Sequence, residues 1–357
     1  MRIVQIIDSL EAGGAEKMAV SYANALATTI DFSGIVTTRR EGVLQSQLDT
    51  NVSYLFLNKK GTLDFSAVFR LKKYCKKHKV KILQAHSSSY FIAVLVKLIY
   101  PKIKIVWHNH NGLSEFVHSD SSIVLKIASL FFNGIIVVNS KLRDWSKSKL
   151  YCKQVVYFPN FISISPEQNS ITELKGETGK RIICLANLRD QKNHFFLIAV
   201  AKLLQSSHPD WSFHLVGKDF EDDYSKRLKE EIIIKELSKT VFIYGSREDI
   251  LQCISQTEIA ILTSKSEGLP LALLEYGLCK KPVVVTNVGE IPSIVINKEN
   301  GFLVNVEDLN SFYNYLTVLI NDVNLRKQIG ESLHQTIIEN YTKDKIINGY
   351  KDWISSI

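Results

Sequence analysis

RIVQIIDSLEAGGAEKMAVSYANALA (2–27) opens the chain with an apolar run, a loop holding two adjacent glycines, and a stretch of helical period. Its first part, RIVQIID (2–8), predicts a strand, and AEKMAVSYANALA (15–27) a helix: one β/α unit of a parallel sheet. The scheme recurs at VKILQAH (80–86), KIVWH (104–108) and GIIVVNS (134–140). It restarts in the second half with RIICLANL (181–188), FHLVGK (213–218), TVFIYGS (240–246), EIAILTS (258–264) and PVVVTNV (282–288). Near-continuous apolar strands suit sheets covered on both faces. The expected fold class is α/β, with two doubly wound, Rossmann-like domains whose ligands lie outside the carboxyl ends of the strands.

A length of 357 residues fits two domains at roughly 150 residues each. SISPEQNSITELKGETGK (163–180) is polar, holds Pro166 and Gly176, and has no apolar period, so the boundary is placed there. The domains are expected over 1–164 and 165–340. The tail 341–357 reads as a helix, with Ile346, Ile347, Tyr350, Trp353 and Ile354 on one face, suited to packing back onto the first domain. Composition is that of a soluble globular chain, 45% apolar and 22% charged. Neither a signal peptide nor an 18-residue apolar span is legible. Five scattered cysteines without a C-x-x-C pair point to free thiols in a reducing cytosol. The net charge of +8 implies an anionic partner: nucleotide phosphates, a membrane surface or nucleic acid. Zinc-finger spacing, RNP-like aromatic motifs and a basic zipper are all missing, so nucleic acid is not expected.

SKSEGLPLALLEYGLCKKPVVV (264–285) is the most informative segment. Pro270 suits a first helical position, and the helix after it is apolar nearly all round except for Glu275. A buried carboxylate needs a partner from protein or ligand. Glu267 sits in the preceding loop, beside backbone N–H groups near Gly268, Leu269 and the helix start, where anions bind readily. Five helical residues between Pro270 and Glu275 rise about 7–8 Å, enough for one carboxylate to reach a sugar and the other a ribose. A Glu275 satisfied by protein donors, with a solvated Glu267, accounts for the same residues equally well.

S-x-x-E-G-L-P-x-x-x-x-E resembles the E-x7-E motif of retaining glycosyltransferases of the GT-B fold, family 4. The resemblance extends to G-G-A-E (13–16), Y-F-P-N-F (157–161) and N-L-R-D-Q-K-N-H (187–194). It implies that the two domains face a central cleft, that Glu267 contacts the transferred sugar, and that Glu275 contacts the nucleotide ribose. A basic pair in N-L-R-D-Q-K stabilises the departing diphosphate in that family without a metal, here Lys192 and Arg189. The family's usual arginine is replaced by Asn187, and Arg189 lies two positions later. Gly13 and Gly14 are expected to let backbone approach a phosphate or sugar, and the segment Val241 to Gly245 to hold the nucleobase. His110 takes the position of a family histidine near the sugar, and His86 is a candidate acceptor contact. His108 is a third histidine at a strand end, and a lone histidine is more often a packed bystander. Asp219, Asp222 and Asp223 read as a solvated loop rather than a metal site.

The implied activity is metal-independent, retaining transfer of a hexose from a nucleotide-diphosphate-sugar to a saccharide or lipid-linked saccharide acceptor. Its setting would be surface-polysaccharide assembly at the inner face of the plasma membrane. A sugar-nucleotide epimerase or hydrolase, or a non-catalytic partner subunit, would use the same scaffold. RLKKYCKKHKVK (70–81) holds seven Lys or Arg in twelve residues. Leu71, Tyr74 and Cys75 would anchor a helix while Arg70, Lys72, Lys73, Lys76 and Lys77 meet an anionic membrane or simply solvent.

Overall fold

A computed structural model of the chain describes residues 1–11, 13–110, 121–162 and 172–357. Contacts divide it into two units, Met1–Ser163 with Lys343–Ile357, and Ile164–Thr342.

The first unit holds a wholly parallel sheet of β1 (Arg2–Ser9), β2 (Phe32–Arg40), β3 (Ser53–Phe56), β4 (Ile82–His86), β5 (Lys104–Asn109), β6 (Gly134–Val137) and β7 (Val155–Tyr157). Its strand order is β3-β2-β1-β4-β5-β6-β7. The second unit repeats the plan with β8 (Arg181–Leu185), β9 (Ser212–Val216), β10 (Val241–Gly245), β11 (Ile259–Leu262), β12 (Val283–Thr286) and β13 (Phe302–Val304), ordered β10-β9-β8-β11-β12-β13. In both, the first strand of the unit sits centrally and the direction of winding reverses beside it. Loops after β1 and β4, and after β8 and β11, therefore diverge at the switch points where open α/β sheets bind ligands.

Apolar side chains on both faces of the strands form the cores. In the second unit Ile182, Cys184, Phe213, Leu215, Ile259 and Ile261 pack with Leu197, Leu204, Phe312 and Leu316 from covering helices. The final helix, Lys343–Ser356, belongs to the first unit and buries Ile346, Ile347, Tyr350 and Ile354. It packs on the helix Gly14–Ala27, and the Tyr350 hydroxyl donates to Gln84 Oε1 at 2.6 Å.

Several boundaries differ from the sequence reading. The run 134–140 stops being a strand at Val137, because the Asn139 side chain accepts from the Leu142 N–H and caps the helix Ser140–Lys149. Likewise, β8 ends at Leu185 rather than 188. Strands β2, β3, β7 and β13 lie outside the predicted runs. The first is interrupted by Gly34 and ends in charged residues, and the others span only three or four residues, too few for a period to show. Of the expected linker 163–180, residues 163–171 lie outside the described part. The remainder is strapped down: Thr172 bonds to Asp249 through its N–H and hydroxyl, and the Lys175 N–H donates to Tyr244 Oη. The basic helix spans Phe65–Lys77 rather than 70–81, and it buries Leu71, Tyr74 and Cys75.

Candidate active site

At the β8/β11 switch point, two loops meet that are some 75 residues apart in the chain. The Lys192 ammonium donates to Glu267 Oε1 at 2.6 Å, and the two side chains are 22% and 6% exposed. Ser264 Oγ donates to the same oxygen at 2.6 Å. Glu267 is thus a buried, doubly held carboxylate, which removes the solvated alternative for this residue. Backbone-directed bonds fix the two loops to each other: Thr263 Oγ1 donates to the Lys192 carbonyl at 2.9 Å, Gln191 Nε2 to the Ser266 carbonyl at 2.7 Å, and the Lys265 N–H to the Gln191 carbonyl at 2.8 Å. An exposed Lys265–Asp190 ion pair closes the rim.

Gly289, just past β12, supports this loop from behind. Its φ is +58°, and a Cβ there would sit 2.1 Å from the Glu267 carbonyl oxygen. The neighbouring Glu290 N–H donates to the Gly268 carbonyl at 2.9 Å. Only glycine allows that approach in that conformation. Gly268 and Leu269 are buried, and Pro270 stands at the N-cap position, one residue before the first helical position expected of it, ahead of the helix Leu271–Leu278, which carries Glu275 at 8% exposure. The second carboxylate is therefore inside, as its apolar neighbours require.

Lys192 also precedes a helix start. Asn193 adopts left-handed φ of 56° and leads into the helix His194–Ser207, where the His194 N–H donates to Tyr224 Oη at 2.9 Å and the Phe196 N–H to the Asn193 carbonyl at 3.1 Å. The positive end of the helix dipole beside a lysine suits a phosphate group. Arg189 takes a different course from Lys192: its guanidinium lies over the Phe220 ring, 4.5 Å from the centroid, as an exposed cation–π contact. Asn187 Oδ1 accepts the Lys218 N–H at 2.8 Å and so ties the β8 loop to the end of β9. Gly245, with φ of +69°, closes β10. Its carbonyl accepts the Gly217 N–H at 3.0 Å.

Three histidines gather at the carboxyl ends of β4 and β5 in the first unit. His86 is fully buried, with Nε2 2.8 Å from Gln5 Oε1 and Nδ1 2.8 Å from His110 Nε2. The Gln5 oxygen can only accept, so His86 carries its proton on Nε2 and accepts from the His110 Nε2–H. His110, partly buried, is left presenting Nδ1 as an acceptor, and this atom has no partner among the described residues. His108 Nδ1 lies 3.0 Å from Gln84 Nε2, whose oxygen is taken by Tyr350, so His108 carries its proton on Nε2. Burial pulls His110 down to about 3 and holds His86 and His108 well below the usual histidine value, with neighbouring histidines adding to both. All three rings are neutral at neutral pH.

His86, expected as an acceptor contact, is corrected here: it has no exposed surface, both nitrogens are engaged, and it reaches a ligand only through His110. One ring nitrogen from each of the three histidines lies within 4.8 Å of the others. The 2.8 Å His86–His110 spacing is that of an N–H···N hydrogen bond, shorter than the ~3.3 Å between nitrogens around a tetrahedral zinc. The geometry is that of a hydrogen-bonded relay. Near β1, Gly13 is extended and ordinary in φ, Gly14 begins a helix with open space beside it, and the Glu16 carboxylate folds over Gly13. The acidic loop has structural partners: Asp219 pairs with Lys229 at 2.5 Å, and Asp222 caps the helix Asp223–Ile234 by accepting the Ser225 N–H at 3.0 Å.

Sequence reading alone missed Ser264, Gln191, Gly289, Gln5, Gln84 and Tyr350. Ser264 and Gly289 carried a usable signal, since Ser264 ends the predicted run 258–264 and Gly289 directly follows 282–288, both on the ligand side. The buried glutamines in β1 and β4 also broke apolar runs.

Two doubly wound units with strand-end loops of this kind define the GT-B glycosyltransferases. Residues 12–165 match the profile described as Glycosyltransferase Family 4, and residues 167–335 that of Glycosyl transferases group 1. The chain is a nucleotide-sugar glycosyltransferase of this GT-B group, with the two profiles together spanning almost its whole length. It is similar to an uncharacterized glycosyltransferase of Haemophilus influenzae, 24% identical over 95% of this chain and 96% of that one. Similar too is the Escherichia coli UDP-Gal:alpha-D-GlcNAc-diphosphoundecaprenol alpha-1,3-galactosyltransferase, 24% identical over 87% and 84%. Among solved structures, Anabaena HepE in complex with UDP and glucose superposes with a TM-score of 0.85 over the full length of both chains, at 18% identity.

Proposed function

We propose that this enzyme moves a hexose, with retention of anomeric configuration, from a nucleoside-diphosphate sugar to a hydroxyl of a lipid-linked saccharide during bacterial surface-polysaccharide assembly. The observation that carries the reading is the Lys192–Glu267 pair, buried at the switch point beside the N-terminus of a helix. When the anomeric C–O bond breaks, negative charge accumulates on the departing diphosphate. Lys192 and the positive dipole end of the helix His194–Ser207 are preorganised to receive it. Glu267, held by Lys192 and Ser264, is placed to accept hydrogen bonds from the sugar's hydroxyls, and Glu275 from the ribose.

In this reading a diphosphate oxygen takes the proton from the incoming hydroxyl as the new bond forms on the same face. The charge balance at the diphosphate needs no divalent metal. Within the first unit, His110 Nδ1 is an acceptor suited to a ligand hydroxyl. The lipid-linked acceptor is supported by the E. coli relative and by a Campylobacter jejuni relative, whose names both specify undecaprenol-linked saccharides.

Thermal-shift screening of nucleoside-diphosphate sugars identifies the donor, because ligand at about 100 times its Kd adds about 2.7 kcal/mol of stability. Product analysis with that donor, with and without lipid-linked acceptors, then tests the reaction. Retained-configuration product formed only with acceptor supports the proposal. Equal donor turnover without acceptor points to an epimerase or hydrolase and overturns it.

A further inference from the structure

One face of the first unit is apolar, exposed and carries charge of a single sign. The connections β3→β4, β4→β5 and β5→β6 all step the same way along the sheet. Right-handed crossovers therefore set the helices Phe65–Lys77, Tyr90–Ile99 and Ser121–Ala128 side by side on one face. Each packs on the next. Their inner sides are buried through Leu71, Tyr74, Val96 and Leu125. Their outer sides, with the turn that follows the third helix, present Phe65, Phe69, Leu98, Ile123, Ile127 and Leu130, each between 56% and 66% exposed. Scattered single apolar residues on a surface need no explanation, but a run across three adjacent helices marks an interaction surface.

The charges decide the partner. FSAVFRLKKYCKK, YFIAVLVKLI and SSIVLKIA contain no carboxylate, and every charged side chain on them is basic. Phe65, Phe69, Lys72, Lys73 and Lys76 fall at i, i+4, i+7, i+8 and i+11, one stripe of the first helix. Lysine ammonium groups sit over rings: Lys72 Nζ is 5.8 Å from the Phe69 centroid, Lys76 Nζ 5.9 Å from Tyr100 and Lys126 Nζ 5.3 Å from Tyr151. Apolar and aromatic groups flanked by lysines suit the boundary between lipid headgroups and acyl chains. A second copy is a poor occupant, because a two-fold interface would set this all-basic face against itself.

We infer that this face seats on an anionic lipid bilayer, with Phe65, Phe69, Ile123, Ile127 and Leu130 entering the interface and Lys72, Lys73 and Lys76 meeting lipid phosphates. Among the described residues no helix is long and apolar enough to cross a membrane, so the attachment is peripheral. The assignment rests on the face itself: failure of sugar transfer would leave it standing, and loss of vesicle binding would leave the transfer reading standing.

The test uses the full chain with vesicles of phosphatidylcholine alone or mixed with phosphatidylglycerol. Wild type is expected to co-sediment only with the mixed vesicles. Each lysine reversed among Lys72→Glu, Lys73→Glu and Lys76→Glu should weaken partitioning at least about fivefold. Ile123→Ser with Ile127→Ser should weaken it in high salt as well as low. Melting temperatures near wild type check that these surface variants are folded. Phe69→Trp, read against the four native tryptophans, should blue-shift on mixed vesicles. Absence of co-sedimentation, full binding by the apolar variant, or an unshifted Trp signal in bound protein would each overturn insertion. Lipid-free, concentration-dependent dimerisation that shifts the Trp signal would assign the face to a second copy instead.

Discussion

Changing Lys192→Met removes the cation from a carboxylate that the fold keeps almost wholly out of water. Among the described residues, Glu267 would then retain the Ser264 hydroxyl at 2.6 Å as its close side-chain donor. Breaking one partner of a buried pair costs about 3–5 kcal/mol. With Lys192 still 22% exposed, the expected cost falls at the lower end, about 3 kcal/mol. For a unit of this size each kcal/mol moves the midpoint about 2–4 °C, so the second unit should melt about 6–12 °C lower. Adding Glu267→Gln removes the stranded charge while keeping the shape, and the double variant should regain most of that loss. Catalysis should not follow stability. Losing the cation at the departing diphosphate weakens a charge-assisted contact of about 1.5–3 kcal/mol, a ten- to hundredfold fall in transfer. The assay is a double-mutant cycle by calorimetry, with initial transfer rates measured on the same four proteins. A double variant whose destabilisation equals the sum of the singles would show that the pair is not coupled. One that transfers sugar at the wild-type rate would refute the role assigned to both residues.

Gly289→Ala should disturb the Glu267 loop without touching any ligand, because its Cβ would lie 2.1 Å from the Glu267 carbonyl at φ of +58°; transfer near the wild-type rate would show that the loop yields freely. Chelation by EDTA should leave the transfer rate unchanged, and loss restored by magnesium or manganese would reject the metal-free charge balance. Stability should decline with acid from about pH 6.5, the ordinary histidine value. His110 and His214 are lowered by burial to about 3 and His194 to about 4, while His86 and His108 lie well below 6.5. Below pH 6.5 the unfolded chain binds protons that the folded chain refuses. Their contribution is therefore complete above pH 6.5 and is lost as pH falls toward the folded values, by at most about 1.4 kcal/mol per pH unit for each histidine. Melting temperatures that stay level from pH 7 to 5 would contradict this.

The sequence by itself determined the alternation of strand and helix, because an apolar run flanked by turn residues is a local property that survives any packing. It also placed Glu267, Lys192, His86 and His110 at the carboxyl ends of strands, where a parallel sheet exposes its loops. Glu275 was legible as buried from its apolar neighbours alone. Short strands such as Phe302–Val304 left no period to read. What only the tertiary structure decided was which loops meet. Lys192 and Glu267 pair because β8 and β11 are adjacent in a sheet whose winding reverses there. Arg189 diverges to Phe220 although it lies only three residues from Lys192. The tautomers of the histidine cluster follow from Gln5, Gln84 and Tyr350, which come from two strands and the last helix. A proton's position on a ring depends on partners distant in the chain, and no local pattern encodes them.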